Sequence, residues 1–132
     1  MGCKYIATDG TPTWAPYWPG YAAIKPSTEA IAYVCDNANS LFVINADGAL
    51  PDSALFANAN FATAVTGNNT SGYSLGELAT GTIASGSATL NMKIVGFDDE
   101  ASVAEGAVDK TAAGRLAIVK LNVHFMNSTA GI

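Results

Sequence analysis

The sequence predicts an all-β chain: a single-domain β-sandwich or small jelly-roll-like β-barrel, with an extended N-terminal arm and at most short helical turns. Three observations carry this. Apolar residues recur with a period of two in several short runs, the spacing of a strand with one buried face. Gly, Asn, Asp and Ser separate the runs, as turn residues do. No stretch sustains a helical period long enough to make a layer.

Residues 1–20 read as the arm and residues 21–132 as the β-rich domain. Within the arm, Thr11-Pro12-Thr13-Trp14-Ala15-Pro16-Tyr17-Trp18-Pro19-Gly20 holds three prolines and three aromatics. Proline fixes φ and withholds a donor, so an extended, irregular path is expected. Trp14, Tyr17 and Trp18 need cover, either from the edge of their own core or from a partner, since Trp and Tyr are enriched in interface hot spots.

Residues 30–35 alternate, with Ile31, Tyr33 and Cys35 on one face. Residues 41–46 (Leu-Phe-Val-Ile-Asn-Ala) are nearly all apolar, which predicts a strand buried on both faces and ended by Asp47-Gly48. Pro51 opens a single helical turn over 51–56, and residues 74–78 suggest another. Residues 61–66 form a weaker strand; 67–72 and 80–87 read as loops. Residues 90–97 begin with Leu90, Met92 and Ile94 opposite Asn91 and Lys93. The clearest alternation is the last: Ala117, Val119, Leu121, Val123 and Phe125 on one face, Lys120, Asn122 and His124 on the other. Val119, Leu121 and Val123 are therefore expected in the core.

Composition excludes several function classes. Hydrophobic residues make up 49% of the 132 residues and charged ones 13%, against about 25% charge in an ordinary soluble domain. Disorder requires the reverse balance. A membrane span needs about 18 consecutive apolar residues, and residues 116–126 are interrupted by Lys120, Asn122 and His124. No basic segment followed by an apolar one opens the chain, so no signal peptide is expected. The net charge of −5, without a basic run, speaks against nucleic-acid binding. Cys3 and Cys35 lack metal-site spacing, and free thiols are expected ahead of a bridge.

One enzyme motif is present. Gly72-Tyr73-Ser74-Leu75-Gly76 fits G-x-S-x-G, and Ser74, Asp98 or Asp109, and His124 follow the order of a hydrolase triad. The motif acts only at a strand-to-helix elbow, and its flanks read as loop, so Ser74 is expected to be inert and the chain not to be an enzyme. The acidic residues Asp98, Asp99, Glu100, Glu105 and Asp109 could surround a hard cation but read more simply as a solvated loop. Asn45-Ala46-Asp47-Gly48 fails as a calcium loop because Phe56 stands where the closing Glu belongs. His124 has no Cys or His partner nearby in sequence, so no metal or other cofactor is expected; it is expected to face solvent or a neighbouring subunit.

Tyr17-Trp18-Pro19-Gly20, then Ala32-Tyr33-Val34-Cys35-Asp36-Asn37, then Leu41-Phe42-Val43-Ile44-Asn45-Ala46-Asp47-Gly48 form an ordered series. It continues through Lys93-Ile94-Val95-Gly96-Phe97 and Val119-Lys120-Leu121-Asn122-Val123-His124 to Thr129-Ala130-Gly131-Ile132. From about residue 17 onward it resembles the capsid decoration, or cement, proteins of tailed bacteriophages; Gly76 departs from the pattern. The resemblance implies a β-rich, non-catalytic virion protein on the outer capsid surface, made in the bacterial cytoplasm. Its implied partners are the major capsid protein and copies of itself. A trimer at local three-fold positions is the first expectation and a dimer on two-fold positions the second. Trp14, Tyr17, Trp18, Pro19 and His124 are then the expected capsid or subunit contacts. The rival readings are a carbohydrate-binding or adhesion module using Trp14, Tyr17 and Trp18, and a small esterase using Ser74 and His124.

Overall fold

The computed structural model describes residues 2–62, 74–99 and 109–124, and these are all-β apart from single 3-10 turns at Tyr21–Ala23 and Asp52–Ala54. They fall into two compact units.

The first comprises residues 2–36 with 74–75. Its centre strand β1 (Gly2–Ile6) pairs antiparallel with β2 (Pro12–Ala15) on one side and β3 (Ile31–Tyr33) on the other. The β1–β2 turn has a local chemical cause. Gly10 takes φ 92, a left-handed conformation open to a residue without Cβ. The Asp9 carboxylate accepts the Thr11 N–H at 2.8 Å, which holds its pKa below the ordinary aspartate value. Pro12 opens an edge strand, where a missing donor is tolerated. The arm expected over residues 1–20 therefore contains two paired strands of a sheet, Gly2–Ile6 and Pro12–Ala15. The boundary expected after residue 20 lies inside a unit that runs to Asp36.

The second unit is a closed barrel in the order β4-β6-β5-β7-β8. Its strands are β4 (Leu41–Ala46), β5 (Asn58–Phe61), β6 (Glu77–Ala84), β7 (Met92–Phe97) and β8 (Leu116–Leu121). Neighbours are antiparallel except β4 and β6, whose short parallel pairing sets Asn45 opposite Glu77 and Ala46 opposite Leu78. Asp47 extends this seam, accepting the N–H and Oγ1–H of Thr80 at 2.8 Å each. Gly48 is required beside it, because a Cβ there would stand 2.6 Å from Thr80 Oγ1.

The barrel interior is made of small and branched residues. Ala46, Ala59 and Ala117 sit with Ile44, Leu78, Met92, Ile94 and Val119, and Phe42, Ile83 and Phe97 pack against them. Few strands enclose little volume, so alanine at the closest approaches lets the ring shut at normal packing density.

Several sequence expectations change. β4 is buried on one face only: Ile44 and Ala46 point inward, while Leu41 and Val43 stay 60% and 57% exposed on the outside. β6 occupies residues read as a helical turn and a loop. Its pairing with β5 jumps from Asn58 opposite Ala84 to Asn60 opposite Ala79. Across the jump, the Thr82 hydroxyl donates to the Ala79 carbonyl at 2.7 Å and accepts the Asn60 N–H at 2.9 Å. Of the weak strand expected at 61–66, Phe61 closes β5 (Asn58–Phe61), while residues 63–66, the loop at 67–72 and Phe125 are outside the described residues. β8 keeps its register, with Ala117 and Val119 buried, but stops early. Leu121 is half-buried and Val123 is 53% exposed. There Asn122 leaves the ladder and donates its amide to the carbonyls of Leu90 at 2.9 Å and Ala88 at 3.3 Å.

β7 carries a bulge. Ile94 lies opposite Val119, but Gly96 lies opposite Ile118, so Val95 is an extra residue. The slip moves Phe97 to the inner face, opposite Ala117. Phe97 then stacks under the guanidinium of Arg115, whose Cζ is 3.8 Å from the ring centroid. Arg115 is 2% exposed. It donates to the Leu50 carbonyl at 2.7 Å, to both Asp99 oxygens at 2.7 and 2.8 Å, and to Asp52 Oδ1 at 2.9 Å. Lys110 pairs with the other Asp52 oxygen. Hydrogen bonds from Arg115 hold the Asp99 carboxyl below its ordinary value, and those from Lys110 and then Arg115 do the same for Asp52.

Removing Arg115 leaves the Leu50 carbonyl unpaired and a gap against Phe97. Arg115→Ala is expected to lower stability by about 2–4 kcal/mol at neutral pH. Asp52→Ala, whose side chain is 63% exposed, should cost far less than Arg115→Ala. Because both carboxyl values are depressed by folding, their contribution is full above the ordinary aspartate value of 3.8 and fades as pH falls through the folded values. Urea unfolding of wild type and Arg115→Ala should therefore show a gap that narrows in acid.

Candidate docking face

The register of the small sheet sorts its side chains. Lys4 lies opposite Trp14 on one side and Ile31 on the other, and Gly2 lies opposite Tyr33. Partners opposite one another share a face, so Trp14, Lys4, Ile31 and Tyr33 stand on one side of the sheet. Cys3, Ala15 and Ala32 share the other side, where Cys3 and Ala15 are buried. The aromatic side is open: Trp14 is 58%, Ile31 50% and Tyr33 53% exposed. Alongside runs a groove of about 550 Å³, lined by Lys4, Tyr5, Ile6, Pro12, Thr28, Glu29 and Ile31. Gly2 makes room for the indole, since a Cβ on it would fall 2.3 Å from Trp14 Cζ2.

A second aromatic feature lies beyond β2. Trp18 and Tyr21 meet edge to face, with ring centroids 5.5 Å apart at 79°, and both are exposed. Tyr17 and Pro19 are half-buried. His124 belongs to the barrel unit, just past the end of β8, and is half-buried. Of the five residues expected to form contacts, Trp14 thus stands on the sheet, Tyr17, Trp18 and Pro19 in the segment after it, and His124 in the other unit. The sequence pattern reveals the shared face of Ile31 and Tyr33 but not that it is the open one, and it gives no sign of Lys4 or Tyr21. Alternation says which residues share a face, and only the partner strand says which face is covered.

The other candidates resolve simply. Ser74 is succeeded by strand β6, so the strand-turn-helix elbow is not formed; Gly72 and Tyr73 lie outside the described residues. Asp99 is committed to Arg115, and Asp109 accepts the N–H and hydroxyl of Thr111 at 2.9 and 2.6 Å; Glu100 and Glu105 lie outside the described residues. Among the described residues no three His, Cys, Asp or Glu gather as a metal would require, and no helix is long and apolar enough to cross a membrane. Cys3 is buried, Cys35 is exposed, and they are not bridged. No family model, curated protein or solved structure matches the chain.

The contact between Gly2 and the Trp14 ring yields a test. Gly2→Ala must push the indole off the sheet, so Trp14 fluorescence should shift to the red in this variant, measured in a Trp18→Phe background. Emission identical to that background protein would mean that the ring does not lie over Gly2.

Proposed function

We propose that this chain is a structural virion protein that binds the outer surface of a tailed-phage capsid and stabilises it. The sequence resemblance supports the reading, and one observation carries it structurally: a small sheet presents Trp14, Ile31 and Tyr33 together on an open face. Large apolar side chains grouped in this way favour a protein partner. They sit on paired strands rather than on a loose segment, so little entropy is lost on docking. The major capsid protein is the partner, and the chain acts as a homo-oligomer, a trimer before a dimer. Cyclic symmetry lets one oligomer clamp several capsomers and gain from multivalency. The role needs no catalysis.

A carbohydrate-binding module is the second reading, favoured by the exposed Trp18–Tyr21 pair, since aromatic faces can stack on sugar rings. Retention on a glycan array would support it.

Deleting residues 1–20 would remove two of three strands, so the test uses point variants. Trp14→Ser with Trp18→Ser should abolish saturation of expanded capsids by an otherwise folded protein. Sedimentation of the wild type should give a trimer. A monomer whose double variant still saturates capsids would overturn the proposal.

A further inference from the structure

The outer surface of the barrel carries a pattern that stability does not explain. Lys93 of β7 and Lys120 of β8 lie directly opposite one another. Like charges at that spacing repel, and the chain has only five lysines and one arginine. Among the described residues neither Lys93 nor Lys120 has an ion pair, whereas Lys110 and Arg115 do. On the far side of Lys120 stands Leu41, and the next outward row pairs Val43 with Ile118. Leu41 and Val43 are both more than half exposed.

Phe56 completes the patch. Its ring centroid lies 6.0 Å from Lys93 Nζ, yet the residue is 64% exposed and its backbone takes φ 65. That left-handed conformation is strained for a bulky side chain, and such strain collects at functional positions. Two unfavourable features, a like-charge pair and a strained exposed aromatic, thus meet on one surface.

We infer that the outer face of β4, β8 and β7 docks an extended acidic segment of another protein, whose carboxylates lie between Lys93 and Lys120 and whose apolar residues cover Leu41, Val43, Ile118 and Phe56. Charge complementarity selects this occupant. A second copy meeting the patch through a two-fold axis would set the lysine pair against itself. A polyanion such as nucleic acid needs a longer row of cations than the two lysines of this patch. The inference concerns the barrel, not the aromatic sheet, and holds whether or not the partner is a capsid.

The test is an NMR titration of the whole chain with two peptides of equal length, one alternating Glu with Val and the other Lys with Val. The Glu peptide should shift the amides of Leu41, Val43, Lys93, Ile118 and Lys120 and weaken as salt is raised, while the Lys peptide leaves them unmoved. Lys93→Gln with Lys120→Gln should weaken Glu-peptide binding by about tenfold or more while the melting temperature rises or holds, because repulsion is removed. Phe56→Gly should also raise the melting temperature and lower affinity. Equal binding of the two peptides, shifts elsewhere, or unchanged affinity in the lysine variant would overturn the inference. So would shifts of these amides with protein concentration alone, which would show that copies of the chain cover the patch.

Discussion

The buried guanidinium of Arg115 is the constraint on which the barrel's construction depends. A charge that is 2% exposed is tolerated only with partners on its donors, and here they come from two segments far apart in sequence. Leu50 offers a backbone carbonyl, Asp52 stands on the adjoining 3-10 turn, and Asp99 lies just past β7. The bulge at Val95 belongs to the same arrangement, because without it Phe97 would face outward and the cation would lose its aromatic floor. Asp52 and Asp99 remain partly hydrated at 63% and 42% exposure, so the cluster is a bridge from interior to surface rather than a sealed ion pair.

At the loop that precedes β7, asparagine does comparable work without charge. Asn58 donates to the Ser87 carbonyl at 2.6 Å, Asn60 accepts the Asn91 N–H at 3.0 Å, and Asn122 holds Leu90 and Ala88. Side-chain amides thus tie down a loop that has few apolar residues to anchor it. With these ties and an alanine-rich interior, the barrel is fixed without recruiting the apolar residues of its outer strands. Leu41, Val43 and Phe56 are left outside, available for contact.

The fold class was legible because period-two alternation survives wherever a strand has one wet face, as in Ile31 and Tyr33, Met92 and Ile94, or Ala117 and Val119. Legibility ended where a tertiary interaction overrode the pattern. The bulge at Val95 inverts the alternation for Phe97. β6 hides behind Gly81 and Thr82 because a hydroxyl replaces ladder hydrogen bonds. Arg115 gave no signal, since a lone arginine between Gly114 and Leu116 reads as surface until Asp52 and Asp99 are brought beside it. The aromatics of the candidate site were visible from composition, but Lys4 joined them only through register, and the openness of their face depends on which sheet side Cys3 and Ala15 cover.

Proton exchange at the Arg115 side chain tests the central claim most directly. Arg115 is the chain's one arginine, so its Nε–H gives a single assignable NMR signal. With Nε 2.7 Å from the Asp99 carboxylate and the arginine side chain itself 1% exposed, exchange should be as slow as that of the core amides of Ile94 and Val119, requiring the barrel to unfold. Exchange at the rate of a solvent-exposed arginine, while those amides stay protected, would contradict the account.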